Sequence, residues 1–207
     1  MQPAPSACQL RLTPDTALVR SQPSITGPGS CGAEDVVRLE AVVLSDGQRV
    51  ALAPAVTLRC PMAEGVARWI REEVAPAAAT LGSSARTIIA GASYECRERD
   101  RVPGAKLSEH GHANALDLRR FTLANGTAVD LTDKAAFKEF RELIRQSACN
   151  TFTTVLGPGS DNLHNSHIHL DLIERKGGYR RCQWDVLTVE AGSAVGPEHP
   201  HPSNGAK

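Results

Sequence analysis

A chain of 207 residues with 23 basic and 23 acidic side chains, 41% hydrophobic and only 4% aromatic residues, has the makeup of one folded domain with polar ends. Zero formal net charge excludes a dedicated nucleic-acid binder, which carries a basic excess or a basic stripe. No apolar run approaches the ~20 residues that cross a bilayer, so no membrane span is expected.

Pro, Ser and Gln dominate the start, and residues 1–7 are expected to be disordered, followed by a domain over 8–190. From Ala191 the chain turns to Gly, Ser, Pro, His and Asn, and 191–207 is expected to be a disordered tail with His199 and His201 solvated. Val36–Val43 and Gln48–Leu52 flank Ser-Asp-Gly, while Phe121–Ala124 and Thr127–Leu131 flank Asn125-Gly126. Both read as hairpins, because Asp-Gly and Asn-Gly supply the positive φ of tight turns.

Met62, Val66, Trp69, Ile70 and Val74 recur at helical spacing, with Glu64, Arg68, Arg71 and Glu72 for the wet face. Pro76 marks the end of this helix or a kink in it, and Gly82 a later stop. A second helix is expected from an N-cap at Thr132 to about Ala148, burying Ala136, Phe140, Leu143 and Ile144. Thr87–Ala90, Leu116–Leu118, Thr151–Leu156 and His167–Leu172 read as short strands. Strands and helices do not alternate regularly, which predicts an α+β fold: a small antiparallel sheet packed with two main helices.

Six cysteines, widely spread and without a Cys-x-x-Cys pair, fit disulfides in an oxidising compartment better than a zinc ribbon. Three bridges are expected. Cys8 with Cys31 is the local choice, and Cys60 with Cys149 and Cys96 with Cys182 complete one of the possible connectivities. With its cysteines paired, such a chain is expected in the periplasm or outside the cell, with its export signal removed.

Two segments carry the chemistry: Ser108-Glu-His-Gly-His-Ala-Asn-Ala-Leu-Asp117 and His164-Asn-Ser-His-Ile-His-Leu-Asp171, which hold five of the seven histidines. Strand alternation puts His167, His169 and Asp171 on one face and Ile168, Leu170 and Leu172 on the other. Asp117, between Leu116 and Leu118, also points away from an apolar face. Side by side, two such strands gather imidazoles and a carboxylate that are costly to desolvate unpaired, and a divalent cation satisfies them together. Two imidazoles and one carboxylate leave a fourth position open, as in catalytic rather than structural zinc sites.

The two segments resemble the zinc motif of the lysostaphin, D-Ala-D-Ala metallopeptidase and Hedgehog group, Ser-x-His-x6-Asp followed by His-x-His. The wider frame adds Ser93-Tyr-Glu-Cys-Arg97 and Cys149-Asn-Thr-Phe-Thr-Thr-Val-Leu-Gly-Pro158. From about Cys31 to Cys182 it resembles a bacterial family labelled extensin-like C-terminal. The label does not point to function, because the Ser-Pro repeats of plant extensins are absent.

Carried over by position, the resemblance makes His110, Asp117 and His169 the ligands of Zn2+. It makes His167 the base or transition-state stabiliser and Arg97 the contact to a substrate carbonyl or carboxylate, with Arg99 and Arg101 as competitors for that role. Ala113 stands where many members have Gly, and Ser166 replaces a Glu three residues before His169. Catalysis then falls to His167 or His164, with Glu109 and His112 at the pocket rim. Asp171 is expected either to orient His169 or to pair with a surface arginine such as Arg119. The implied activity is a zinc-dependent peptidase or amidase of the cell envelope, monomeric, acting on peptidoglycan peptides. The alternative is a zinc-containing binding or structural module of the wall without hydrolysis.

Overall fold

A computed structural model describes residues 4–186. Its core is one mixed sheet of nine strands rather than a small antiparallel one. In chain order the strands are β1 (Ala17–Ser21), β4 (Val36–Val43), β5 (Arg49–Arg59), β6 (Ala85–Ala90), β7 (Ala115–Leu123), β8 (Ala128–Asp130), β9 (Thr154–Leu156), β10 (Ile168–Asp171) and β11 (Arg181–Gln183). β2 (Ile25–Thr26) and β3 (Gly32–Ala33) form a separate two-stranded ribbon. The spatial order is β1-β4-β5-β6-β7-β10-β9-β11, with β8 paired to β7. The parallel contacts, β5 with β6 and β9 with β11, make the sheet mixed.

Both expected hairpins form, β4–β5 and β7–β8, with Gly47 and Gly126 at positive φ in their turns. The helical stretch crosses over between β5 and β6 as α2 (Cys60–Trp69), a π-turn (Ile70–Val74) and α3 (Ala75–Ala79). Met62, Val66, Trp69, Ile70 and Val74 are all buried along it. The helix runs on through Pro76 rather than ending there: proline lacks an N–H and its ring crowds the carbonyl four residues back, which the wider π-turn accommodates. The stop comes at Gly82, φ 75°.

The second main helix, α4 (Lys138–Thr151), starts a turn and a half later than Thr132. Asp130 and Asp133 capture the N–H groups of Thr132 and Ala135, both at 2.9 Å, and hold that segment in turns. The later start shifts the buried stripe to Phe140, Ile144 and Ala148; Ala136 is half-buried and Leu143 is 46% exposed. Thr151 belongs to α4, not to the strand that follows. α4 packs against both α2 and α3, and the three share the core with Leu116, Leu118, Ile168 and Leu170. At its centre Trp69 packs edge-on to Phe152, and its Nε1–H donates to Ser147 Oγ at 3.0 Å.

Six cysteines make three disulfides, but none of the expected pairings occurs: the bonds are Cys8–Cys60, Cys31–Cys96 and Cys149–Cys182. A short N-terminal helix, α1 (Ala7–Arg11), capped by the Ser6 hydroxyl, lies against α2 and brings Cys8 to Cys60 at a Cα separation of 6.0 Å. Cys149, in the last turn of α4, meets Cys182 on edge strand β11. Neighbouring elements, not nearness in sequence, choose the partners. Residues 191–207, with His199 and His201, lie outside the described residues.

Peptide mapping of the unreduced protein is expected to return these three pairs and no free thiol. Replacing both Cys8 and Cys60 by Ala should cost about 2–4 kcal/mol in denaturant unfolding, because the bond closes a long loop of the unfolded chain.

Candidate metal centre

β7 and β10 lie next to each other in one antiparallel register, with His169 directly opposite Asp117. Their apolar neighbours, Leu116 opposite Leu170 and Leu118 opposite Ile168, enter the core, so Asp117, His169 and Asp171 share the other face. Ala115, opposite Asp171, leaves space for that carboxylate. The 3-10 turn Glu109–His112 delivers the fully buried His110 from the side, and the Ser108 hydroxyl accepts the N–H of His110 at its start. Ala113 ends the turn at φ 49°, a left-handed conformation that glycine adopts more readily. At Gly91 a Cβ would come within 3.1 Å of the Asp117 Cβ, so the chain passes close behind the carboxylate because no side chain intervenes.

Three donor atoms converge. His110 Nε2 lies 3.2 Å from His169 Nδ1 and 3.3 Å from Asp117 Oδ1, and His169 Nδ1 lies 3.1 Å from the same oxygen. These are the edges of a tetrahedron whose corners lie about 2.0 Å from its centre, the length of Zn–N and Zn–O bonds. The other ring nitrogens are already committed as donors: His110 Nδ1–H to the Ser93 carbonyl at 2.7 Å, and His169 Nε2–H to Asp171 Oδ2 at 3.1 Å. Two lone pairs and a carboxylate oxygen therefore face one another with no hydrogen among them in the neutral cluster. Only a proton or a cation satisfies that arrangement, and the donor set suits zinc.

In the metal-free chain a proton takes that place. Burial opposes charge on His169, but hydrogen bonds to Asp117 and Asp171 outweigh it and raise its pKa to about 9. Burial likewise opposes ionisation of Asp117, yet His110 and His169 hold its carboxyl far below the usual carboxylate range. Asp171 is lowered too: burial is outweighed by His169, helped by the Thr154 hydroxyl and the Ile173 N–H. Asp171 thus sits against His169, and among the described residues it forms no ion pair with Arg119.

His167 stands at the edge of the cluster with Nε2 3.6 Å from Asp117 Oδ2, and burial pushes its pKa down, leaving it neutral at pH 7. The ring centroid of His164 is 5.1 Å from that of His167 and 5.7 Å from that of His169. Its Nδ1–H is held by both oxygens of Asp161 at 2.7 and 2.8 Å. Asp161 is the residue sequence reasoning missed; its only signal was Asp-x-x-His spacing, which is common in loops.

Two cavities open onto the cluster. One, of about 290 Å³, is bounded by Asp117, His167 and Leu163; the other, of about 110 Å³, by His169, Asp171 and Thr154. Arg97 and His164 line both, whereas Arg99 lines only the smaller and Arg101, of these two, only the larger. Glu95 fixes Arg97 from behind, accepting Nε–H at 2.9 Å, and also binds Arg101. Glu109 lines the smaller cavity, but His112 faces a different one beside Arg59 and does not rim the site.

The family model described as extensin-like protein C-terminus matches residues 6–183. No curated protein and no solved structure matches the chain. Among the described residues no helix is long and apolar enough to cross a membrane.

Histidine NMR of the metal-free protein is expected to show His169 titrating near pH 9 and His167 uncharged at neutral pH. A folded pKa above the unfolded ~6.5 stabilises the fold below pH ~6.5 and loses that contribution as pH rises through about 9. Metal-free protein should therefore unfold more easily at pH 9.5 than at pH 6.5, and Asp171→Asn should flatten the difference.

Proposed function

This chain belongs to the extensin-like C-terminus family, and we propose that it is a zinc-dependent peptidase or amidase of the cell envelope. The supporting observation is the set of three donor atoms 3.1 to 3.3 Å apart with no hydrogen to share between them. His110 through Nε2, Asp117 through Oδ1 and His169 through Nδ1 would hold the metal. Ser93 and Asp171 fix the two rings from behind, the outer partners that metal-ligating imidazoles need. When bound, zinc would supply Lewis acidity and lower the pKa of a water to about 7.

His167, neutral at pH 7, takes a proton from the attacking water. Its imidazolium is then stabilised by Asp117 Oδ2 at 3.6 Å. Water oxygen bonds to the carbonyl carbon, the C–N bond breaks, and the proton passes to the departing amine. Arg97, braced by Glu95 on the wall shared by the two cavities, donates hydrogen bonds to the carbonyl oxygen as negative charge gathers there. His164, with Nδ1–H engaged by Asp161, presents Nε2 as a second base.

Cavities on two sides of the cluster leave room for substrate groups on either side of the cleaved bond. Three disulfides fit an exported protein, and peptidoglycan peptides are the substrates that the zinc motif implies for a periplasmic or secreted monomer.

Purified protein should carry one zinc per chain and release peptide fragments from peptidoglycan, and a chelator should stop the release. Zinc without release would make it a binding or structural module. His169→Ala should lose metal and activity together, because one of three ligands is gone. His167→Ala should keep the metal and lower turnover about a hundredfold or more. Asp171→Asn should weaken zinc affinity by roughly 10- to 100-fold.

A further inference from the structure

The smaller cavity, beside His169 and Asp171, is lined by guanidinium groups that the reaction above does not use. Arg99, Arg175 and Arg181 all border it. Among the described residues none of the three is paired with a carboxylate, whereas Arg97 and Arg101 both pair with Glu95. Arg175 is half-buried and fixed in place: it donates to the Thr153 carbonyl at 3.1 Å and to Thr154 Oγ1 at 2.6 Å. That anchoring uses two of a guanidinium's roughly five N–H donors and leaves the others free to bind a carboxylate.

Four arginines and four acids line this cavity, so their formal charges balance, but three of the acids are engaged by partners other than Arg99, Arg175 and Arg181. Asp161 is bound to His164, Asp171 to His169, and Glu109 accepts Asn114 Nδ2–H at 2.6 Å. Asp100 alone among them lacks such a partner among the described residues. Four acids along the walls still disfavour a doubly charged anion such as phosphate and favour a single negative charge.

We propose that this cavity is a carboxylate subsite, in which Arg175 and Arg181, with Arg99 at the edge, bind a carboxylate of the peptide substrate next to the cleaved bond. The proposal rests on the hydrolase reading and specifies its substrate: a peptide bearing a free carboxylate on the His169 side. Arg175 reaches towards the metal cluster through Thr154, which stands opposite Asp171 in the pairing of β9 with β10, and Asp171 in turn holds His169. A carboxylate bound there would lie a few side chains from the ligand, at a position fixed relative to it.

The test titrates the full-length protein, stripped of metal so that the anion cannot coordinate it, with N-acetylalanine of either hand, N-acetylalaninamide, N-acetylglutamic acid α-amide and inorganic phosphate. NMR shift perturbation provides the readout. The expected result is binding of one or both carboxylates at least tenfold tighter than of the neutral amide, weakening with salt. The acetylalanine and glutamate arms tell a terminal from a side-chain carboxylate. Arg175→Gln and Arg181→Gln should each lose about tenfold, and Arg20→Gln, on edge strand β1, nothing. Arg181 is on the exposed edge, so its variant reports even if Arg175→Gln disturbs the fold.

Equal affinity for acid and amide, tighter binding of phosphate than of either carboxylate, or carboxylate binding untouched by both variants would overturn the proposal. If carboxylate binding persists while zinc-loaded protein cleaves no peptidoglycan, the hydrolase reading fails and the subsite stands.

Discussion

Everything at the site depends on the register in which β7 meets β10. A slip of one residue would turn Asp117 and His169 into the core and bring Leu116, Leu118, Ile168 and Leu170 into water. The apolar face therefore does more than stabilise. Four aliphatic side chains buried among the helices specify the pairing, and the pairing sets a carboxylate opposite an imidazole. The core fixes the floor of the site before any ligand arrives.

On that floor the polar groups are costly without one another. Burial alone would drive Asp117 towards its neutral form and His169 away from its charged form; their hydrogen bonds reverse both tendencies. The cluster holds its net charge by sharing a proton where a metal's charge would otherwise sit. In the proposed zinc site, metal and proton would compete for the same lone pairs. The partners behind the rings, the Ser93 carbonyl and the Asp171 carboxylate, bias the competition by fixing which nitrogen faces inward.

What the sequence made legible was local. Period-2 alternation around Asp117 and His169 located both strands and the face each histidine takes. Helical spacing located α2, and the Asp-Gly and Asn-Gly turns located two hairpins. What it hid is set by long-range packing. The parallel contacts of β5 with β6 and β9 with β11 join segments that are not consecutive hairpins, so the sheet grew larger than its individual strand signals. Disulfide partners followed the docking of α1 on α2 and of α4 beside β11. The start of α4 was lost to a local contest, where Asp130 and Asp133 took backbone N–H groups that a helix from Thr132 would have used. Asp161 and Ser93 act through a hydrogen bond to a ring nitrogen, a role that residue type alone does not signal.

The walls of the site follow a different rule from the floor. Arg97 lies on a segment outside the main sheet, tied to its surroundings by a few backbone bonds, such as Ser108 N–H to the Arg97 carbonyl at 3.1 Å and Glu95 N–H to the His110 carbonyl at 3.2 Å. Such a segment has little buried apolar area to hold it in place, and an arginine proposed to meet a developing charge tolerates little drift. The residue before Arg97 is Cys96, bonded to Cys31 in the loop leading into β3. Ser93, which orients His110, lies on the same segment, and its hydroxyl accepts the Thr57 N–H from β5 at 3.1 Å. A covalent link at Cys96 and a hydrogen bond to the sheet at Ser93 thus brace the two ends of the stretch that supplies both the guanidinium and the carbonyl. Where the core cannot reach to position the site, a disulfide does so instead.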